Sequence, residues 1–183
     1  MFVTKRAARN SVGGTAAGVG SRIADNGGDG VLIGIDPETG FTVPAGTNNS
    51  VEGNSIFADA GRHIDLRPND GPTPNDPNTG ANYRLNTPVL TSAILSGTSL
   101  FLTGFINAEA NKVLRVEFIA SATGGQGQTF LGFQNVSTGP KNTVVFTTAL
   151  SFPAALLAEQ SLTATVTDEL GNTSEISLPL AIQ

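Results

Sequence analysis

Residues 65 to 82 read Asp65-Leu66-Arg67-Pro68-Asn69-Asp70-Gly71-Pro72-Thr73-Pro74-Asn75-Asp76-Pro77-Asn78-Thr79-Gly80-Ala81-Asn82. Four prolines, four asparagines, three aspartates and two glycines crowd into this stretch, and no apolar period of a helix or a strand runs through it. It therefore divides the chain. Before it lie short β-like runs punctuated by Gly and Asn, and after it a longer series of alternating apolar and polar segments. The expected organisation is residues 1–66, an Asp/Asn/Pro-rich linker over 67–87, and a second unit over 88–183.

The composition bounds what these units can be. With 22 glycines in 183 residues and only 14% charged side chains, the chain suits a turn-rich all-β protein better than a helical one. The formal charge of −5 argues against a nucleic-acid partner, which selects basic patches. No segment approaches the length of an apolar membrane span, so membrane insertion is not expected. The first residues, MFVTKRAARN, hold no apolar stretch of secretory-signal length. Absence of Cys removes disulfides, thiolate nucleophiles and cysteine metal sites together.

Working back from Asp65, the first unit repeats itself. Ser21-Arg22-Ile23, followed by Val31 and Ile33, recurs as Asn54-Ser55-Ile56, followed by Ile64 and Leu66, with the offset from Ser21 to Asn54 kept throughout. Asn10-Ser11-Val12 and Asn49-Ser50-Val51 add two further Asn-x-apolar starts, and the insert Asp36 to Thr47 absorbs the excess length. Copies too short to bury their own apolar face gain a core by stacking in register.

The run Asn10-Ser11-Val12-Gly13-Gly14-Thr15-Ala16-Ala17-Gly18-Val19-Gly20 resembles the N-x-I-G-G-T-x-A-G-x-G motif of the right-handed parallel β-helix repeat proteins of bacterial surfaces. Gly53-Asn54-Ser55-Ile56-Phe57 with Ile64-Asp65-Leu66 resembles a last rung of that family. The sequence departs from it at Ser21, where Asn is usual, and at Arg62-His63, where small residues are common. About two rungs are expected, with Ile64 and Leu66 of the last one facing the core and Asp65 pointing out, and with strand edges open to self-association.

Beyond the dividing stretch, seven period-two segments follow: Val89 to Leu95, Ser99 to Ile106, Val113 to Ala120, Thr129 to Phe133, Thr143 to Leu150, Ser161 to Thr167 and Glu175 to Ile182. Leu114, Val116 and Phe118 alternate with Arg115 and Glu117, and Leu162, Ala164 and Val166 with Thr163, Thr165 and Thr167, which predicts one dry and one wet face. Seven antiparallel strands in under 100 residues is the pattern of an immunoglobulin-like sandwich. Pro179 places the last strand at an edge. Leu162 to Glu175 resembles the A-T-V-T-D-x-x-G-N-T-S hairpin of bacterial Ig-like domains, with Gly171-Asn172 at the φ > 0 positions and Asp168 binding the turn amides. The expected fold is thus all-β, a short parallel β-helix of about two rungs followed by a seven-stranded antiparallel Ig-like β-sandwich.

For chemistry the sequence offers few candidates. Asp65, Asp70, Asp76 and Asn78, with Asn69 and Asn75, bring hard oxygen ligands together on turn-forming backbone, which makes calcium the one cofactor to consider. Arg62, His63 and Asp65 lie close in sequence, but on a strand Arg62 and His63 face opposite ways, and a single histidine permits neither a His triad nor a two-His metal site within one chain. The glycines at 13, 14, 18 and 20 and the run Gly124-Gly125-Gln126-Gly127 lack the Lys-Ser/Thr of a P-loop.

The resemblances imply a non-enzymatic structural or adhesive module of an extracellular or cell-surface bacterial protein, presenting a surface to a cell-surface glycan or protein. The alternative they imply is the C-terminal piece of a carbohydrate-active, polysaccharide-lyase-like β-helix enzyme.

Overall fold

The computed structural model describes residues 1–35, 45–68, 71, 74–75, 79–122, 127–151 and 160–183. The protein is all-β: apart from a 3-10 turn at Ala81–Arg84, every regular element among the described residues is a strand. The first half contributes β1 (Phe2–Val3), β2 (Ser11–Gly13), β3 (Arg22–Ala24), β4 (Val31–Ile33), β5 (Ser50–Glu52), β6 (Ser55–Phe57) and β7 (Ile64–Leu66). They form three small parallel sheets, β2-β5, β3-β6 and β1-β4-β7, so that β5, β6 and β7 make a layer directly over β2, β3 and β4.

The register is the one the repeat dictates. Ile23 pairs with Ile56 and Val31 with Ile64, both at the offset that carries Ser21 to Asn54, whereas Val12 pairs with Val51 across a longer span. The extra length falls between β2 and β3, where the glycine-rich run Gly14 to Ser21 joins strands whose counterparts β5 and β6 are joined by Gly53 and Asn54 alone. Inward-facing Val12, Val51, Ile56, Val31, Ile64, Ile33 and Leu66 stack into one buried cluster. Strands of three residues fix little backbone by themselves, so the corners carry much of the order. Asn10 Nδ2 donates to Asn49 Oδ1 at 2.8 Å, and Asn49 N to Asn82 Oδ1 at 3.0 Å. Asn54 Oδ1 accepts from Ser21 N and its Nδ2 donates to the Val12 carbonyl, both at 2.8 Å, which ties the corner where Ser21 stands one repeat before Asn54. Gly20 is required here, since a Cβ on it would sit 1.9 Å from the Gly53 carbonyl oxygen.

The second half contributes β8 (Val89–Ser96), β9 (Ser99–Asn107), β10 (Val113–Ser121), β11 (Thr129–Ser137), β12 (Thr143–Ser151), β13 (Ser161–Asp168) and β14 (Leu180–Ala181). They form two antiparallel sheets, β11-β10-β13-β14 and β12-β9-β8. Leu100, Leu102, Ile106 and Phe146 from one sheet and Leu114, Phe118, Leu162 and Val166 from the other close a single core, with Phe118 and Phe146 tilted at 51° and 5.9 Å between ring centres.

Six of the seven segments become strands close to the expected bounds. The seventh, Glu175 to Ile182, is paired as a strand only at Leu180–Ala181, on the sheet edge. From Ser174 the chain runs beside β13 with only half a ladder of its own: Ser174 N and Ser177 N donate to the Val166 and Ala164 carbonyls at 2.8 and 2.9 Å, whereas the amides of Val166 and Ala164 are accepted by Ser174 Oγ and Ser177 Oγ, each at 3.0 Å. In the hairpin before it, Asp168 Oδ1 accepts from both Leu170 N and Asn172 N at 2.9 Å, and Gly171 adopts φ +84°. Asn172 is not left-handed; its side chain is spent elsewhere.

Two expectations need correction. The face of β10 and β13 bearing Glu117, Thr163, Thr165 and Thr167 is not wet: all four are at most 3% exposed. Asp65 does not point into solvent either; it is 1% exposed, as buried as its neighbours Ile64 and Leu66. The reason is the same in both cases. The two halves pack on one another, and Ile176 from the second half joins the apolar cluster of the first.

Candidate functional site

A parallel stack cannot end on its own, because its last strands present unpaired N–H and C=O groups. Here the final layer, β5 to β7, is met group by group. Val51 N donates to Thr173 Oγ1 at 2.9 Å, Gly53 N to Glu117 Oε2 at 2.8 Å, Ile56 N to the Gly127 carbonyl at 2.8 Å, and Leu66 N to Glu175 Oε1 at 3.0 Å. At the corner before β5, Asn48 N donates to Asn172 Oδ1 at 2.6 Å and Asn49 N to Asn82 Oδ1 at 3.0 Å. The Ser55 hydroxyl also donates to the Gln128 carbonyl. The acceptors come from the 3-10 turn, from β10, from the segment before β11 and from the segment after β13.

Asn82 is the pin of this seam. It is fully buried, and its Nδ2 donates to the carbonyls of Asn49 and Thr173 at 2.7 and 3.1 Å. It opens a run of three non-glycine residues in left-handed backbone, Asn82, Tyr83 and Arg84 at φ +46°, +52° and +43°. Each such residue costs about 1–2 kcal/mol, which the Asn82 bonds and the Arg84 bonds to Thr79 offset. The result is that Tyr83, the only tyrosine, is held half-exposed at the mouth of a groove. That groove has a volume of about 350 Å³ and is lined by Tyr83, Leu85, Leu114 and Leu170 with Glu109, Lys112 and Asp168 at its polar side. It lies in the size range of small-molecule sites and combines an apolar floor with a few polar groups. Glu109 and Lys112 face each other at 3.4 Å across one turn of chain.

Two charge clusters lie under the seam. In one, Arg67 Nε reaches Asp65 Oδ2 at 2.6 Å and its terminal nitrogen reaches Asp29 Oδ2 at 3.0 Å. Burial raises the Asp65 carboxyl above its ordinary value, and Asp29 adds to this, although the Arg67 hydrogen bond pulls the other way. Glu175 lies against Asp65; burial first, then the Asp65 charge, push it up to about 7, against the opposing Leu66 amide and Arg62. A protonated Glu175 can therefore donate to Asp65 near neutral pH. In the other cluster, Arg115 bridges Glu117 at 2.8 Å and Glu52 at 3.5 Å, with its guanidinium 3.5 Å from the centre of the Phe133 ring. Burial and Glu117 raise Glu52, while Arg115 lowers it.

Of the calcium candidates, Asp65 is engaged by Arg67, and Asp70, Asp76 and Asn78 lie outside the described residues. Among the described residues no group of three or more His, Cys, Asp or Glu side chains is arranged to hold a metal ion. Nor is any helix among them long and apolar enough to cross a membrane. Sequence reasoning missed Asn82, Thr173, Glu117 and Glu175 as seam residues. For Asn82 a signal existed: it stands to Asn49 as Asn54 stands to Ser21, one repeat offset further on.

No protein-family model matches this chain, and no curated protein matches it in sequence.

Proposed function

We propose that this chain is a non-enzymatic structural and adhesive module of an extracellular or cell-surface protein, in which a short parallel β-helix ends in an Ig-like sandwich that presents a binding surface. The observation that supports this reading is the seam: six backbone amides of the last layer are accepted by groups from beyond β7, so the second half sits on the first as a fixed end piece. A firm end piece holds the Tyr83 groove in a set orientation to the stack axis, as a presented site needs. Cell-surface glycan is the ligand class that fits best, with Tyr83 as the ring against which a sugar packs and Glu109 and Lys112 as hydrogen-bonding partners.

A glycan-array screen of the intact chain tests the proposal. Binding that Tyr83→Ala abolishes, without release of unsaturated products from polygalacturonate or alginate, is the expected result. Product release would replace adhesion with the polysaccharide-lyase reading. Calcium at the junction would draw on Asp70, Asp76 and Asn78, and a rise in Tm in excess Ca²⁺ is the mass-action test for it.

A further inference from the structure

The two outer faces of the two-sheet half are used differently. On the outer face of β11-β10-β13-β14, the part formed by β10 and β13, with Glu117, Thr165 and Thr167, is covered by the stack. The opposite face, on β12-β9-β8, is open, and these three strands contain no Asp, Glu, Lys or Arg at all. Phe101, Ile94 and Val145 on it are 48%, 50% and 69% exposed. Large apolar side chains gathered on a charge-free sheet face mark an interaction surface, since interface cores are depleted in charge.

The register shows what kind of partner fits. Across the three strands, Ile94, Phe101 and Ala149 form one apolar row, and Val89, Phe105 and Val145 form another. Between them runs the hydroxyl row of Ser92, Thr103 and Thr147, and beyond each apolar row the chain returns to polar residues, Ser99 on one side and Asn107 on the other. The banding is polar, apolar, polar, apolar, polar. It is palindromic about Thr103, so a two-fold axis there lays apolar row on apolar row and hydroxyl row on hydroxyl row. Such self-complementarity is what an isologous contact requires. For a chain of net charge −5, a charge-free face brings no like charges into direct opposition when it meets a copy of itself.

We propose that the outer face of β12-β9-β8 docks a second copy of this chain, sheet on sheet, with Phe101 and Phe105 of the central strand at the contact. Three strands about 30 Å long and about 4.8 Å apart give a face of roughly 430 Å², so the pair buries about 900 Å². That is the size of a weak, reversible interface. The rings are phenylalanines with no polar edge, which suits sheet packing better than a sugar platform.

Sedimentation equilibrium on the intact chain, from about 5 μM to about 1 mM, reads the proposal directly. A concentration-dependent dimer that goes no further is expected, because an isologous contact closes. Phe101→Glu is expected to raise the dissociation constant at least tenfold, and Thr103→Lys to do the same from the centre of the face. Both sites face solvent, and an unchanged urea midpoint for either variant shows that the fold is kept. Phe2→Glu, on the free edge of the stack, is expected to leave the dimer intact. A monomer throughout, assembly beyond the dimer, or a dimer sensitive to Phe2→Glu and not to Phe101→Glu or Thr103→Lys overturns the proposal.

Discussion

The two edges of the parallel stack are built from the same repeat and treated in opposite ways. At the edge formed by β5, β6 and β7, each strand meets an acceptor from elsewhere in the chain. At the edge formed by β1, β2 and β3, each strand pairs on one side only among the described residues, and Phe2 stands 60% exposed. The sealed edge uses a hydroxyl, two carboxylates, two side-chain amides and a backbone carbonyl for six donors. This variety teaches something about stacks. A repeat terminates itself with more of the same, whereas a foreign end piece must solve each strand separately, because the donors point from three sheets at once.

The contrast can be broken or sharpened by substitution on either side of it. The largest effect is expected at Asn82. Alanine there strands Asn49 N, the Asn49 carbonyl and the Thr173 carbonyl in a buried place and leaves a left-handed φ on a residue poorly suited to it, a loss of about 3–5 kcal/mol by urea denaturation.

Next comes Glu175, through pH. Its folded-state value, about 7, lies above the ordinary carboxyl range, so the folded protein holds a proton that the unfolded chain releases. The stabilisation is full below about pH 4.5 and is lost as pH rises through 7, a fall on the order of 2–3 kcal/mol. Asp65 and Glu52, both raised, act in the same direction. Glu175→Gln keeps an acceptor for Leu66 N and is expected to flatten most of that slope in urea titrations run from pH 5 to 8.

Thr173→Val is expected to cost about 1–2 kcal/mol, since it leaves Val51 N and the Thr167 hydroxyl without their partner. The smallest effect belongs to the free edge: Phe2→Ala should stay within about 0.5 kcal/mol of the parent. A cost at Phe2 comparable to that at Thr173 would show that the two edges are energetically alike and remove the distinction.

Much of this fold was legible because its signals are local. The offset joining Ile23 to Ile56 and Val31 to Ile64 is the register of two ladders, and the alternation around Leu114 and Leu162 sets the strands of the second core. The seam was not legible, because a residue that seals an edge resembles one that faces water. Thr165, Thr167 and Glu117 occupy the polar phase of their strands, and only the arrival of another part of the chain makes that phase dry. Asp65 reads as exposed for the same cause, its cover coming from Glu175 near the far end of the chain. The final segment loses most of its expected strand because Ser174 and Ser177 turn their hydroxyls to the ladder, a choice that period-two reading does not register.

The seam has a mechanical side. Its six amide bonds arise from the three strands of the last layer and from the corners on either side of β5, and the covalent chain crosses from β7 to β8 at one point on the rim of that layer. A pull that separates the halves along the stack axis loads these bonds together instead of one after another. The joint therefore resists as a flange does, holding to a threshold and then letting go in a single step.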